Sequence, residues 1–169
     1  MTVPADPSYP PLLARGQTWE EMTPGSAFRT AARTITETDL ITFVTWGGFT
    51  EALFLDASHA AGGGYTGRLV PGALVYCLGE GLVMQTNVLN GTGLAFMSME
   101  LSIKRPTYVG DTIHVVVEVN QARAASSGRR GVVTTTNTIR NQRGEDVLVY
   151  TPVRLIRGRD YREPAADGS

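Results

Sequence analysis

The stretch best equipped for chemistry covers residues 67–85, GRLVPGALVYCLGEGLVMQ. A short loop, Gly67-Arg68-Leu69-Val70-Pro71-Gly72, runs into the longest apolar segment of the chain, and Glu80 is the only charge between Ala73 and Met84. The segment predicts a helix that starts at Gly72 and is buried on nearly all sides. It is too short and too interrupted by glycine to span a membrane. The first N–H groups of a helix have no acceptor within it, so a buried helix start at Gly72 is a ready site for developing negative charge. Glycine at this position has a second reading, a residue chosen for tight packing. Glu80, once buried, needs a partner, either an arginine or a subunit seam.

The other reactive side chains are few. The single cysteine, Cys77, sits inside the apolar helix and reads as a small buried hydrophobe, because a reactive thiol needs a polar partner. Two histidines and one cysteine provide no metal-site spacing. His114 shares a strand face with Glu118, and His59 belongs near the glycine-rich Gly62-Gly63-Gly64 loop, so both read as surface residues. A net charge of −1 without a basic cluster argues against nucleic acid as partner. One cysteine excludes an internal disulfide framework and fits a reducing, cytoplasmic setting. The N-terminus has no basic stretch followed by an apolar one, so no signal peptide is expected. At 169 residues, with 42% hydrophobic and 18% charged, the chain is expected to form one domain.

The elements that must position the 67–85 stretch follow from local pattern. Residues 1–17 carry Pro4, Pro7, Pro10 and Pro11, which predicts an extended arm. After the Thr23-Pro24-Gly25-Ser26 turn, residues 27–35 predict a first strand. Thr36 and Asp39 fit a capping box, opening a helix with Leu40, Ile41, Phe43 and Val44 that stops near Gly47-Gly48. Four strands are predicted beyond the apolar helix, over 94–104, 111–122, 131–140 and 146–156. In the first of these, Ala95, Met97, Met99, Leu101 and Ile103 alternate onto one face; in the second, Ile113, Val115, Val117 and Val119 do. The short links favour an antiparallel meander. Residues 158–169 form a polar tail. The expected fold is α+β: a single hot-dog domain over 18–157, one antiparallel sheet wrapped around a long central helix.

Three pieces, in this order, resemble a family. GSAFRTAARTITETDLITFV resembles the opening of the MaoC-like (R)-specific enoyl-CoA hydratases, GRLVPGALV the approach to their central helix, and IKRPTYVGDTI their F-x-x-P-V-x-x-G-D-T turn. The family's signature, G-D-x-N-P-x-H-x-D with a later H-G pair, is altered here. Laid on Gly48 and Asp56, its catalytic Asp falls on Phe49, its catalytic His on Phe54, its Asn on Glu51, and the His of the H-G pair on Pro71; Gly72 is kept. The usual acid/base dyad is therefore replaced. A shift by one residue puts Gly48 and Leu53 in those places, which titrate no better.

The resemblance implies an acyl thioester as substrate, on coenzyme A or an acyl carrier. It implies no cofactor beyond coenzyme A as part of that substrate, and a homodimer with acyl sites near the interface. Hydration of an enoyl thioester needs a base, an acid and a group that stabilises the enolate oxyanion. Gly72 can serve as the last. Glu51, between the two vacated positions, is the candidate replacement base if it sits in an apolar wall; its other reading is a solvent-facing residue or a partner of Arg68. Phe49, Phe54 and Pro71 then line the substrate site, with Tyr65 at the mouth of a tunnel and Lys104, beside Arg105, meeting the phosphates of coenzyme A. Asp56 matches the family's non-catalytic second acid and is expected to hold a loop backbone. Two other classes stay open: a non-catalytic subunit or acyl-binding protein, and a thioesterase in which Glu51 activates water.

Overall fold

The computed structural model describes residues 14–126 and 128–162. The proline-rich part of the expected arm and the end of the expected tail lie outside the described residues. Residues 16 and 17 run along the end of the central helix, the Gly16 N–H donating to the Asn90 carbonyl (2.8 Å) and the Gln17 N–H to that of Val88 (2.9 Å).

The sheet has six strands: β1 (Ala27–Arg29), β2 (Arg33–Thr34), β3 (Gly93–Ile103), β4 (Thr112–Ala124), β5 (Arg130–Arg140) and β6 (Asp146–Arg157). Helices α1 (Glu37–Gly47), α2 (Ala52–Leu55), α3 (Ala57–Gly62) and α4 (Gly72–Gln85) fall between β2 and β3. All pairings are antiparallel, in the order β1-β4-β5-β6-β3, with β2 also on β4. The expected meander therefore holds for β4-β5-β6 and fails at its first link. β3 lies across the sheet from β4, on the far side of β6, because residues 104–111 cross the end of the sheet and pair instead with the loop before α4, through the Leu69–Tyr108 bridge.

The predicted first strand is split. The Thr30 N–H donates to the Val115 carbonyl, but the Val115 N–H donates back to the Thr30 hydroxyl (3.0 Å) rather than to a backbone carbonyl, which breaks the ladder between β1 and β2. The four-valine-type alternation in β4 holds: Ile113, Val115, Val117 and Val119 are all buried against α4 or the layer beneath it. In β3 it does not. The register with β6 shifts between Phe96 and Ser98, turning the side chains before and after that point out of phase. Met99 packs on the core, while Phe96, Met97, Leu101 and Ile103 stay exposed.

Helix α4 is one-sided rather than buried all round. Leu74, Val75, Gly79, Leu82 and Val83 face the sheet; Ala73, Cys77 and Met84 form an exposed stripe. Cys77 is thus an exposed thiol and not the buried hydrophobe its apolar neighbours suggested. The close seating of α4 depends on Gly79, where a Cβ would lie 2.4 Å from the Ile139 Cδ1. Full burial of each core Leu, Ile or Val contributes on the order of 2 kcal/mol, so the central helix is held mainly by this face. None of the helices described is long and apolar enough to cross a membrane.

Helix α1 begins as its sequence predicts. The Asp39 N–H donates to the Thr36 hydroxyl (3.2 Å), and Asp39 Oδ2 accepts from the Thr36 N–H (2.9 Å). The helix ends at Gly48, in the left-handed region at φ 71°. Burial by itself would raise the Asp39 carboxyl, but the Thr36 backbone and hydroxyl donors and Arg33 outweigh it, and the net pKa is lowered. A carboxylate depressed in the folded state adds stability above its unfolded pKa and loses it as pH falls through the folded value. Asp39→Asn is therefore expected to leave a shallower loss of thermal stability between pH 5 and pH 3, roughly the window of such a group, than the native chain shows. Equal slopes in melting temperature against pH would remove Asp39 from this role.

Candidate functional site

The N-terminal end of α4 opens into a cavity of about 340 Å³. Gly72 and Val75 form its back wall, and Leu69 and Val70, from the preceding loop, one side. That loop is fixed to the exit of β3: the Val70 N–H donates to the Thr107 carbonyl (2.9 Å) and the Val109 N–H to that of Arg68 (2.9 Å). Ile103 to Thr107, the β6 residues Val147 and Leu148, and Phe54 and Tyr65 complete the lining.

Pro71 is the N-cap of α4, at φ −54° and ψ 135°, and provides no side-chain cap. The first helical bond here is Val75 N–H to the Pro71 carbonyl (3.1 Å). The amides of the first turn are therefore those a helix leaves free for an outside acceptor, with the positive end of the helix dipole behind them. Both readings of Gly72 have a geometric basis. It lines the cavity, and a Cβ there would lie 2.3 Å from Ile103 Cδ1. The missing side chain lets the end of β3 lie over the helix start.

Two cations are also among the lining residues, Lys104 and Arg105. The Lys104 and Arg105 N–H groups both donate to the Val147 carbonyl (2.9 and 3.2 Å), and the Arg105 guanidinium donates to the Asp146 carbonyl (3.1 Å). Both side chains are exposed. With Tyr65 they are the titratable groups among the described lining residues. Among the described residues no three His, Cys, Asp or Glu side chains gather as a metal site requires.

The structure thus brings Phe54, Tyr65, Gly72 and Lys104 to one cavity. Phe49, Glu51, Pro71 and Asp56 are not among its lining residues. Phe49 sits between Phe43 and Phe54, with ring centroids 5.2 and 6.3 Å away. Glu51 is exposed at the start of α2, where its carbonyl accepts from the Phe54 and Leu55 N–H groups (2.9 and 3.2 Å). It does not occupy the apolar wall expected for it, because α2 turns the chain there and points the residue outward. Its pairing with Arg68 is also absent; Arg68 pairs with Glu37 (2.8 Å). Asp56 holds backbone, as its position suggested: Oδ1 accepts from the Ser58 N–H (2.8 Å), the Ser58 hydroxyl (2.6 Å) and the His59 N–H (3.3 Å). The Ser58 donors lower its pKa. His59 is exposed, and His114 is half-buried near Arg29 and Arg140, where burial first and then those charges push its pKa down.

Ile103, Thr107, Val147 and Leu148 were not marked by sequence. Ile103, Val147 and Leu148 come from strand ends that are distant along the chain and are placed together by the pairing of β3 with β6, and Thr107 comes from the crossing that follows β3. Glu80 found an arginine: it accepts from Arg154 and from the Tyr150 hydroxyl (2.8 Å), on the far half of α4 from the cavity.

Residues 22–149 match the FAS1-like, dehydratase domain region family. Among solved structures, the chain is similar to a monoamine oxidase regulatory protein from Archaeoglobus fulgius, with 29% identity and a TM-score of 0.78 over 89% of this chain and 98% of that one. A MaoC-like dehydratase from Rhodospirillum rubrum is 26% identical, with a TM-score of 0.76 over 88% of this chain and 99% of that one. RV0216 from Mycobacterium tuberculosis, described as a double hot-dog fold, is 22% identical with a TM-score of 0.74; 91% of this chain covers 48% of it, which shows the shared fold. No curated protein sequence matches the chain.

Proposed function

Because this chain belongs to the FAS1-like dehydratase domain region family, with the fold of the MaoC-like dehydratases, we propose that it binds an acyl thioester in the cavity at the start of α4 and serves its hydration or dehydration. One observation carries the reading: an apolar cavity whose back wall is an uncapped helix N-terminus. In hydration, water adds across a double bond conjugated to the thioester carbonyl, and negative charge develops on that oxygen. The amides at Gly72 are the groups for it to meet. An oxyanion donor of this kind is worth about 10²–10³ in rate. The acyl chain lies against Val75, Val147 and Leu148, and the carrier's phosphates extend toward Lys104 and Arg105.

Exposed charge contacts contribute about 0.5–1 kcal/mol each. The double variant Lys104→Ala/Arg105→Ala is therefore expected to bind crotonyl-CoA roughly tenfold more weakly. The deficit should shrink at high salt, as screening removes the native advantage. Titration by calorimetry at two ionic strengths checks both parts, and an unchanged affinity would move the phosphates elsewhere.

A second reading has its own observation. Phe49 and Phe54 occupy the places the resemblance assigns to the acid/base dyad, and no carboxylate or imidazole is among the described lining residues. This favours an acyl-binding subunit that works beside a catalytic hot-dog chain. The exposed apolar face of β3 and α4, at an edge strand with a partner on one side only, suits a second hot-dog unit. We propose that a second copy pairs there, in the cytoplasm. The thioesterase reading depends on Glu51, which stands outside the cavity lining.

Purified protein mixed with crotonyl-CoA separates the three. Loss of enoyl absorbance without free thiol means hydration. Release of thiol means thioester cleavage, and Glu51→Gln then tells whether that carboxylate acts. Binding without turnover supports the subunit reading.

A further inference from the structure

We infer that Arg68 is a positioning residue, the latch that holds residues 49–63 as a movable wall across the cavity. The role of that wall in substrate binding rests on the acyl-thioester reading; the latch itself does not.

The wall has little else to hold it. No residue of α2 is buried, Leu55 is 47% exposed, and no described residue from 49 to 63 belongs to either hydrophobic core cluster. It hangs between Gly48 and Gly64, both in the left-handed region at φ 71° and 80° and both in open space, so the backbone can pivot at either end. Its contacts with the body include the Phe49 N–H donating to the Val44 carbonyl (3.0 Å), the ring file Phe43–Phe49–Phe54 and the Arg68 side chain.

Arg68 bridges two elements with one planar group. One guanidinium nitrogen donates to the Leu55 carbonyl (3.1 Å), at the end of α2, and the other pairs with Glu37 (2.8 Å), in the first turn of α1. A carbonyl at a helix end has no acceptor role within the helix, so it is available to such a donor. The base of the latch is fixed, since the Arg68 carbonyl accepts from the Val109 N–H and Leu69 bridges Tyr108. The Arg68 Nε is buried without an acceptor in the closed arrangement. Phe54 is the wall's contribution to the cavity lining, and it directly precedes Leu55, whose carbonyl the latch holds.

The test reads the wall first without any acyl ligand. Amide hydrogen exchange is followed by mass spectrometry on the full chain, native and with Arg68→Met, Arg68→Lys or Glu37→Gln. Arg68→Met is expected to speed exchange over residues 52–62 at least fivefold and to leave α4 and β4 to β6 unchanged. Arg68→Lys should fall between native and Arg68→Met, because a point charge cannot span both acceptors. Glu37→Gln, a change at an exposed side chain that spares the fold, should give a smaller rise in the same segment. Unchanged exchange over 52–62 in Arg68→Met and Glu37→Gln, or an equal rise throughout the chain, overturns the latch. Crotonyl-CoA titration then follows, with about fivefold weaker binding expected for Arg68→Met and partial recovery in Arg68→Lys. A wall that loosens with no change in affinity keeps the latch and removes the wall from acyl-thioester binding, whereas a native chain that binds no crotonyl-CoA removes the acyl-thioester reading of the cavity and leaves the latch to the exchange data.

Discussion

Arg154→Met is expected to lower the free energy of unfolding by about 3 kcal/mol, near the low end of what removing one partner of a buried ion pair costs. The side chains of Arg154 and Glu80 are 9% and 19% exposed. Glu80 Oε1 accepts from Arg154, and Oε2 from the Tyr150 hydroxyl. Tyr150 is fully buried; burial first, and then the charge of Glu80, raise its hydroxyl far above the ordinary range, so it stays protonated as a donor. Tyr76 packs edge-on against that ring at 5.1 Å, and the Arg154 guanidinium lies 5.2 Å over Phe96. Without the guanidinium, the Glu80 carboxylate keeps one hydroxyl and little water. The melting temperature should fall by roughly 6–12 °C for a chain of this size. The double variant Glu80→Leu/Arg154→Met should regain at least half of the loss, since the uncompensated charge is gone. A single-variant cost below about 1 kcal/mol would show that the pair does not seat the helix. The pair bears on the site because it fixes the rotation of α4 about its axis: Glu80 lies eight positions beyond Gly72, roughly 12 Å along the helix.

Gly72→Ala is expected to cut turnover or binding of crotonyl-CoA by roughly 10–100-fold, one to two tenfold steps of 1.4 kcal/mol each, while costing little stability. The added methyl would lie 2.3 Å from Ile103 Cδ1. Ile103 is 60% exposed and its end can turn away, so an overpacking cost of about 1–2 kcal/mol is partly offset by the better helix propensity of alanine, up to about 1 kcal/mol. The displaced side chain and the new methyl both enter the space in front of the helix amides. Adding Ile103→Ala separates the two roles of the glycine. Stability should return to the native value and ligand handling should not, because the methyl still covers the oxyanion position. If the double variant regains both, Gly72 serves packing alone. If Gly72→Ala by itself keeps full activity, the helix start is not where the carbonyl binds.

Much of the fold was legible because it rests on local rules. Thr36 and Asp39 mark the start of α1, Gly48 its end, and the valine alternation of β4 its buried face; each depends on neighbours within a few positions. Phe54, Tyr65, Gly72 and Lys104 were legible as one site only through the resemblance, which carries three-dimensional information that spacing lacks. Glu51 was misplaced because two short helices reorient the chain between Gly48 and Gly64, and neither has the length or periodicity to announce itself.

By itself, then, the sequence determined α1, the central helix α4, the four long strands β3 to β6 and the glycine at the helix start. Tertiary structure decided which face of α4 is covered, leaving Cys77 outside. It also decided that β3 pairs with β6 instead of β4, and that Ile103, Val147 and Leu148 enclose the cavity. The physical reason is the range of the interactions. Propensity, capping and periodicity act over a turn or two of chain, whereas strand order and burial are set by which distant apolar surfaces exclude water together.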